Sequence, residues 1–302
     1  MKWKIIFLTL LVLASALVIG LVRSGRTESK KPAAENAPEK TALSNWENNS
    51  KKVPVRNWKV LDPELSAEAA IVQSLDDSFP FFKSGSFKTW PLASLTKLLT
   101  AVVVMEKMDL NEKIIISQDV SATEGEAGDL RPGETYAARD LLKIMLIASS
   151  NRAAAAFEYH IGHDDFVKMM MAKAREIGLT QTVVYDASGL NDLNQGTASD
   201  MLALLNYILE KEPDILNYTR LPNLLVQPAN SDRSHTVPNI DPLSSRLDFL
   251  GGKTGTSPLA RQNLVAILSM NGRRVAVVLL GSKDRFKETD ELFGWIARAY
   301  EF

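Results

Sequence analysis

Two apolar runs, Leu264–Met270 and Val275–Gly281, flank the dipeptide Asn271-Gly272. Asn and Gly both tolerate the positive φ of a two-residue turn, so this arrangement is a strong hairpin signal. The late part of the chain is thereby committed to antiparallel pairing. Ala69-Ala70-Ile71-Val72 reads as a strand near the other end, with Asp76-Asp77 as a turn and Phe79–Phe87 as a returning partner. Between these ends the spacing predicts helices over Leu95–Met108, Ala138–Ile147, Ala153–His160, Asp164–Ile177 and Thr197–Leu209. Ile114–Ile116 reads as a short strand, Phe249–Thr256 as extended chain, and Glu288–Tyr300 as a closing helix. Strands at both ends with helices between them do not alternate as βαβ units do. The pattern predicts an α+β fold: an antiparallel sheet of N- and C-terminal strands, flanked by helices.

Composition narrows the function. Of 302 residues, 35 are Lys or Arg and 36 are Asp or Glu, a net charge of -1. A nucleic-acid binder usually carries a basic surplus, so none is expected as a partner. There is no cysteine, which excludes disulfides, thiol catalysis and thiolate metal sites. Three histidines leave little for a metal centre.

Lys2 and Lys4 precede an uncharged apolar run over 5–22, followed by Arg23 and Arg26. Its length is at the lower edge for a membrane-spanning helix. Residues 1–26 are expected to be an N-terminal membrane anchor. The other reading is a cleaved signal peptide, for which Ala14-Ser15-Ala16 offers a site. Basic residues flank both sides, so charge alone does not set the orientation. Residues 27–54 are rich in Lys, Glu, Ala, Pro, Asn and Ser and read as a flexible linker. The folded domain is expected over 55–302, outside the cytoplasm, held at the cell membrane by the anchor or secreted if the segment is cleaved.

Ser94-Leu95-Thr96-Lys97 opens the most apolar predicted helix. Residues three apart share a helix face, so the Lys97 amine reaches the Ser94 hydroxyl. A neutral amine there can take the hydroxyl proton and make a nucleophile. The helix N-terminus supplies N–H groups for a developing oxyanion. Alone, Ser-x-x-Lys is a weak signal. Lys253-Thr254-Gly255 lies on the extended segment, with Gly251-Gly252 before it. Thr254 and Thr256 share a strand face, while strict alternation sends Lys253 to the other. A bend at the glycines is then needed to bring all three together; the plainer reading is an edge strand with a solubilising lysine. Ser149-Ser150-Asn151 falls between two helices, where Ser149 and Asn151 can both face a cleft or simply break the helix.

Ser-x-x-Lys, Ser-x-Asn and Lys-Thr-Gly, in this order at 94, 149 and 253, resemble the joint signature of the low-molecular-mass penicillin-binding proteins that are serine-type D-alanyl-D-alanine carboxypeptidases. The likeness extends from about residue 60 to the end. It includes Pro91–Thr100, Leu141–Asn151, Asp186-Ala187-Ser188-Gly189-Leu190, Thr197–Asp200, Gly251–Thr256 and Arg285-Phe286. The resemblance implies a site between the sheet edge and a helical insertion. It implies Ser94 as nucleophile, Lys97 as base, and Ser149 and Lys253 as a proton relay. Asn151, Thr254, Gly255, Thr256 and Arg285 would bind substrate, with the backbone N–H groups of Ser94 and Thr256 as oxyanion hole. The implied substrate is a peptidoglycan stem peptide ending in D-Ala-D-Ala, with β-lactams as covalent inhibitors and no metal or organic cofactor. No C-terminal β domain of the kind many relatives carry is expected.

Two positions depart from the family pattern: Ser150 stands where Gly is frequent, and Arg152 where an acid is common. A D,D-endopeptidase, a β-lactamase or a non-catalytic wall-binding protein would share the fold. Glu212, before Pro213, faintly resembles the deacylating Glu of β-lactamases, but a helix ending at the proline explains it. His160 and His163 are read as a helix end at Gly162 with Asp164 capping the next helix, rather than a metal site.

Overall fold

The computed structural model describes residues 52–302. The expected anchor, and the expected linker as far as residue 51, lie outside the described residues. Among the described residues no helix is long and apolar enough to cross a membrane.

One five-stranded sheet organises the domain. Its strands are β1 (Ala69–Ser74), β2 (Pro80–Ser84), β3 (Phe249–Ser257), β4 (Arg261–Met270) and β5 (Arg273–Ser282), in the order β3-β4-β5-β1-β2. Every neighbouring pair is antiparallel. Asn271 (φ 48°) and Gly272 (φ 68°) close the β4–β5 hairpin, both in the positive-φ region that the tight turn demands. N- and C-terminal strands meet at β1–β5, where Ile71 lies opposite Val278. β3 is left at an edge.

Both faces of the sheet are covered, so β5 is buried nearly along its whole length instead of alternating. On one face Ala70, Val72, Leu264, Leu268 and Val277 meet Leu292, Trp295 and Ile296 of helix α6 (Arg285–Ala299). On the other, Ile71, Val265, Ile267 and Val278 join the core of the helical part. That part holds α1 (Thr96–Lys107), α2 (Ala138–Ile147), α3 (Asn151–Ile161), α4 (His163–Ile177) and α5 (Ala198–Lys211). α1 is buried at every position from Thr96 to Val104, as an apolar helix through the middle of a core must be.

Several boundaries differ from the sequence reading for local reasons. Ala93–Leu95 form a 3-10 turn ahead of α1. α3 begins at Asn151 because Ser150 Oγ accepts the Ala153 N–H at 3.2 Å and caps it. α4 starts at His163, so Asp164 sits in the first turn and is not the cap; Gly162, at φ 104°, makes the break. α6 starts at Arg285, capped by Asp284 Oδ1 on the Lys287 N–H at 3.1 Å. The hairpin Asn223–Val226/His235–Pro238 and the short helices Gln118–Ala122 and Asp214–Thr219 went unread in the sequence.

One side chain ties the sheet to the segment ahead of α1. The β4–β5 register slips between Gln262 and Leu264, and the Gly281 N–H is taken by Asn263 Oδ1 at 2.8 Å. Asn263 Nδ2 donates to Pro91 O at 2.8 Å and to Leu92 O at 3.1 Å, and the residue is fully buried. Asn263→Ala strips partners from one N–H and two carbonyls. It is expected to cost about 2 kcal/mol, read as a lower urea midpoint with unchanged slope.

Candidate active site

Ser94 sits in the 3-10 turn at the mouth of α1. Ala93 before it has φ 48°, a left-handed conformation for a residue with a Cβ, and such strain concentrates at functional sites. Two glycines hold the turn. A Cβ on Gly255 would lie 2.8 Å from Leu92 O and 3.2 Å from the Ser94 nitrogen, and one on Gly189 would lie 1.9 Å from Ala93 O. Only glycine lets β3 and the 186–194 loop close on the Ser94 turn from two sides.

Lys97, one helical step below, is fully buried. Its Nζ lies 2.9 Å from Ser94 Oγ, 2.7 Å from Asn151 Oδ1 and 2.5 Å from Ser188 O. Asn151 Nδ2 donates to Glu124 O at 3.0 Å, which fixes the amide orientation and leaves Oδ1 as an acceptor. Ser188 O is likewise an acceptor only. A neutral amine has two N–H groups, and these acceptors use both. Its lone pair is left for the Ser94 hydroxyl, which can donate. Burial pushes the Lys97 amine well below its usual range, the positive charge of Lys253 pushes further in the same direction, and Asp186 opposes both weakly. Both effects favour the neutral form of the amine beside the hydroxyl.

The Ser188 carbonyl is placed by its own loop. Asp186 Oδ1 accepts from Ser188 N and Gly189 N, each at 2.6 Å, and Asp186 Oδ2 from Asn191 N at 2.7 Å. Thr100 Oγ1 on α1 donates to Ala187 O at 2.7 Å. The loop is therefore fastened to the helix that carries the lysine.

Lys253 is 2 % exposed, which excludes the solubilising edge lysine. Its Nζ donates to Ser149 Oγ at 2.8 Å and to Thr254 O at 2.9 Å. The bulge of β3 lies upstream, between Phe249 and Gly251, and pairing is regular from Gly251 to Ser257. No bend separates Lys253 from the threonines. The side chain reaches the site by its length, folding back on the Thr254 carbonyl at the strand edge. Gly251 and Gly252 serve packing: a Cβ would meet Leu216 at 2.8 Å and Val265 O at 2.4 Å, respectively. Burial brings the Lys253 amine down to about 7; Asp241 pulls it up and Arg285 presses it lower. Ser149 has φ 54°, a second left-handed residue at the cleft.

At the end of β3, Thr254 is buried and Thr256 exposed. Arg285, the first residue of α6, donates through Nη1 to Gly255 O at 2.8 Å and to Thr256 Oγ1 at 2.7 Å. Ser94, Lys97, Ser149, Asn151, Lys253, Thr256 and Arg285 are thus brought to one cleft between the β3 edge and the helices. Two links bind its walls, Lys97–Ser94/Asn151 and Lys253–Ser149.

The departures fall into place locally. Ser150 points away from the cleft as the α3 cap, and Arg152 Nε donates to Thr123 O at 3.4 Å. Glu212 ends α5, and its charged neighbours are Glu106, Asp214 and Lys173, none of them in the site. His160 binds Glu112 at 3.0 Å and His163 binds Glu158 at 2.7 Å, on separate helices. The sequence reading missed the Ser188 and Glu124 carbonyls, since a backbone acceptor has no residue signature, and Asn263, whose side-chain role no motif marks.

Residues 57–284 match the family described as D-alanyl-D-alanine carboxypeptidase (Peptidase_S11). The D-alanyl-D-alanine carboxypeptidase DacB2 of Mycobacterium tuberculosis is 29% identical over 246 residues, 77% of this chain and 83% of the relative. The D-alanyl-D-alanine endopeptidase of Escherichia coli is 29% identical over 248 residues, 78% of each chain. The crystal structure of a D-alanyl-D-alanine carboxypeptidase from M. tuberculosis H37Rv superposes with a TM-score of 0.72 at 27% identity, covering 80% of this chain and 95% of that one. The α+β fold, the sheet-edge cleft and the match over most of the domain lead to one statement: this chain belongs to the D-alanyl-D-alanine carboxypeptidase family, on the penicillin-binding protein fold.

Proposed function

We propose that the protein is a serine D,D-carboxypeptidase that removes the terminal D-Ala from peptidoglycan stem peptides through an acyl-enzyme on Ser94. The observation that carries this reading is the buried Lys97 amine, its Nζ 2.9 Å from Ser94 Oγ. Lys97 takes the hydroxyl proton as Ser94 Oγ bonds to the carbonyl carbon of the last peptide bond. The N–H groups of Ser94 and Thr256 hold the oxyanion. The C–N bond breaks, and the leaving amine receives its proton through Ser149 and Lys253, which share a 2.8 Å hydrogen bond. Water then releases the acyl group and restores the hydroxyl. Asn151 holds the peptide backbone. Lys253, Thr254, Thr256 and Arg285 present a cationic, hydroxyl-rich end to the terminal carboxylate. β-Lactams acylate the same oxygen. The catalytic domain works outside the cytoplasm, tethered to the cell membrane through residues 5–22.

A second reading, D,D-endopeptidase, is favoured by the E. coli relative. It shares every step but differs in whether the leaving amine is free D-Ala or belongs to a neighbouring stem peptide.

Two outcomes follow. Full-length protein incubated with benzylpenicillin is expected to gain a persistent adduct by intact mass, absent from Ser94→Ala. A synthetic pentapeptide is expected to lose one D-Ala while cross-linked dimers stay intact; the reverse product pattern marks the endopeptidase. Drug consumed without an adduct marks a β-lactamase, and drug left intact with no adduct marks a binding protein. The second outcome concerns pH. The Lys253 charge holds the Lys97 amine down. Removing it lets the ammonium persist to higher pH, so Lys253→Met is expected to move the acid limb of the acylation profile upward by roughly one unit. An acid limb that stays in place would remove Lys97 as the base.

A further inference from the structure

A buried carboxylate lies behind the cationic end of the cleft. Asp241 is 7 % exposed and sits in the connection from Pro238 to β3. Its Oδ1 accepts the Leu243 N–H at 3.0 Å, capping the 3-10 turn Pro242–Ser245 that packs on β3. Its Oδ2 is buried and has no hydrogen-bond partner. A buried carboxylate oxygen is costly without a compensating charge, so its position calls for one.

The segment is pinned where it stands. Asn239 Nδ2 donates to Thr219 O and Leu221 O at 2.8 Å each, and its Oδ1 accepts the Asp241 N–H at 2.8 Å. Thr219 Oγ1 accepts the N–H of Gly252, the neighbour of Lys253, at 3.1 Å. The Ile240 N–H donates to Ile147 O at 3.0 Å, two residues before Ser149. Asp241 is thus fastened to both elements that deliver the Lys253–Ser149 pair. Its charge acts on Lys253 and on Arg285 alike.

We propose that Asp241 is the fixed counter-charge of the carboxylate-receiving end of the cleft, a positioning residue that acts through Lys253. The charged groups facing Lys253 are Lys97 on α1, Arg285 on α6 and Asp241. Burial holds the Asp241 carboxyl above its usual range, while the charges of Lys253 and Arg285 favour its anion. Without Asp241, Lys253 would face only like charges in a buried place and would lose its proton at lower pH. The inference rests on the D,D-peptidase reading.

The test is the pH profile of benzylpenicillin acylation of Ser94 in the full-length protein, for wild type, Asp241→Asn and Asp241→Glu. Asn keeps the oxygen that caps Leu243 and removes the charge. The alkaline limb is expected to move to lower pH by about one unit in Asp241→Asn, with the acid limb in place, and to return in Asp241→Glu. A profile that only drops in height, or does not move, overturns the proposal. Titration of 15N-lysine-labelled protein, with the Lys253 signal identified by its loss in Lys253→Met, reads the same shift with no substrate. If Ser94 is never acylated, the enzymatic reading falls while this titration still judges Asp241. A Lys253 titration unmoved by Asp241→Asn overturns the counter-charge role outright.

Discussion

The site depends on an amine whose charged form the fold disfavours. Lys97 is enclosed on α1 with two acceptors and a hydroxyl in contact, and no carboxylate touches it. In the unfolded chain the same amine is protonated up to about 10.4. Between its lowered folded value and that figure, the unfolded state binds the extra proton. Stability attributable to this group therefore rises with pH across that window, and at neutral pH the fold carries a cost for burying this lysine. Apolar burial around Thr96–Val104 offsets it. Reactivity and instability have the same source.

The rest of the architecture can be understood as holding that amine and its hydroxyl still. Gly255 and Gly189 let two segments touch the Ser94 turn, and Asn263 ties the preceding carbonyls to the sheet. The left-handed residues Ala93 and Ser149 stand on opposite walls of the cleft. Each would relax if its surroundings loosened, and each is fixed by contacts from a different element. Placement of the pair thus comes from the sheet edge as much as from α1.

Much of this was legible in the sequence because side-chain identity and periodicity carried it. Asn271-Gly272 revealed the hairpin, and the i, i+3 spacing of Ser94 and Lys97 revealed the nucleophile pair. Alternation misled at Lys253, because the rule governs where Cβ points and not where a four-carbon side chain ends. The hairpin over 223–238 was invisible because its strands are short and half exposed, with Leu225 turned to solvent. The cage around Lys97 was only partly visible, because one wall is the backbone oxygen of Ser188 and the Asn151 amide is oriented by the backbone oxygen of Glu124. Asp241 carried no motif; only its burial and its pinned neighbours mark it out.

The union of the first and last strands also sets a timetable. β1 finds its partner β5 about 200 residues later in the chain. At a synthesis rate of about 5–20 residues per second, Ala69–Ser74 waits roughly 10–40 s before Val275–Leu280 exists. Both faces of β1 are apolar and buried in the finished sheet, and the face that packs toward α6 stays uncovered until 285–299 are made. The central sheet cannot close during translation of its first two thirds. Ser94 and Lys97 are made early, yet the strand that fixes their turn arrives near the end. The nascent chain stays open and adhesive until its final elements emerge, and whatever shields it in that interval protects the nucleophile as well.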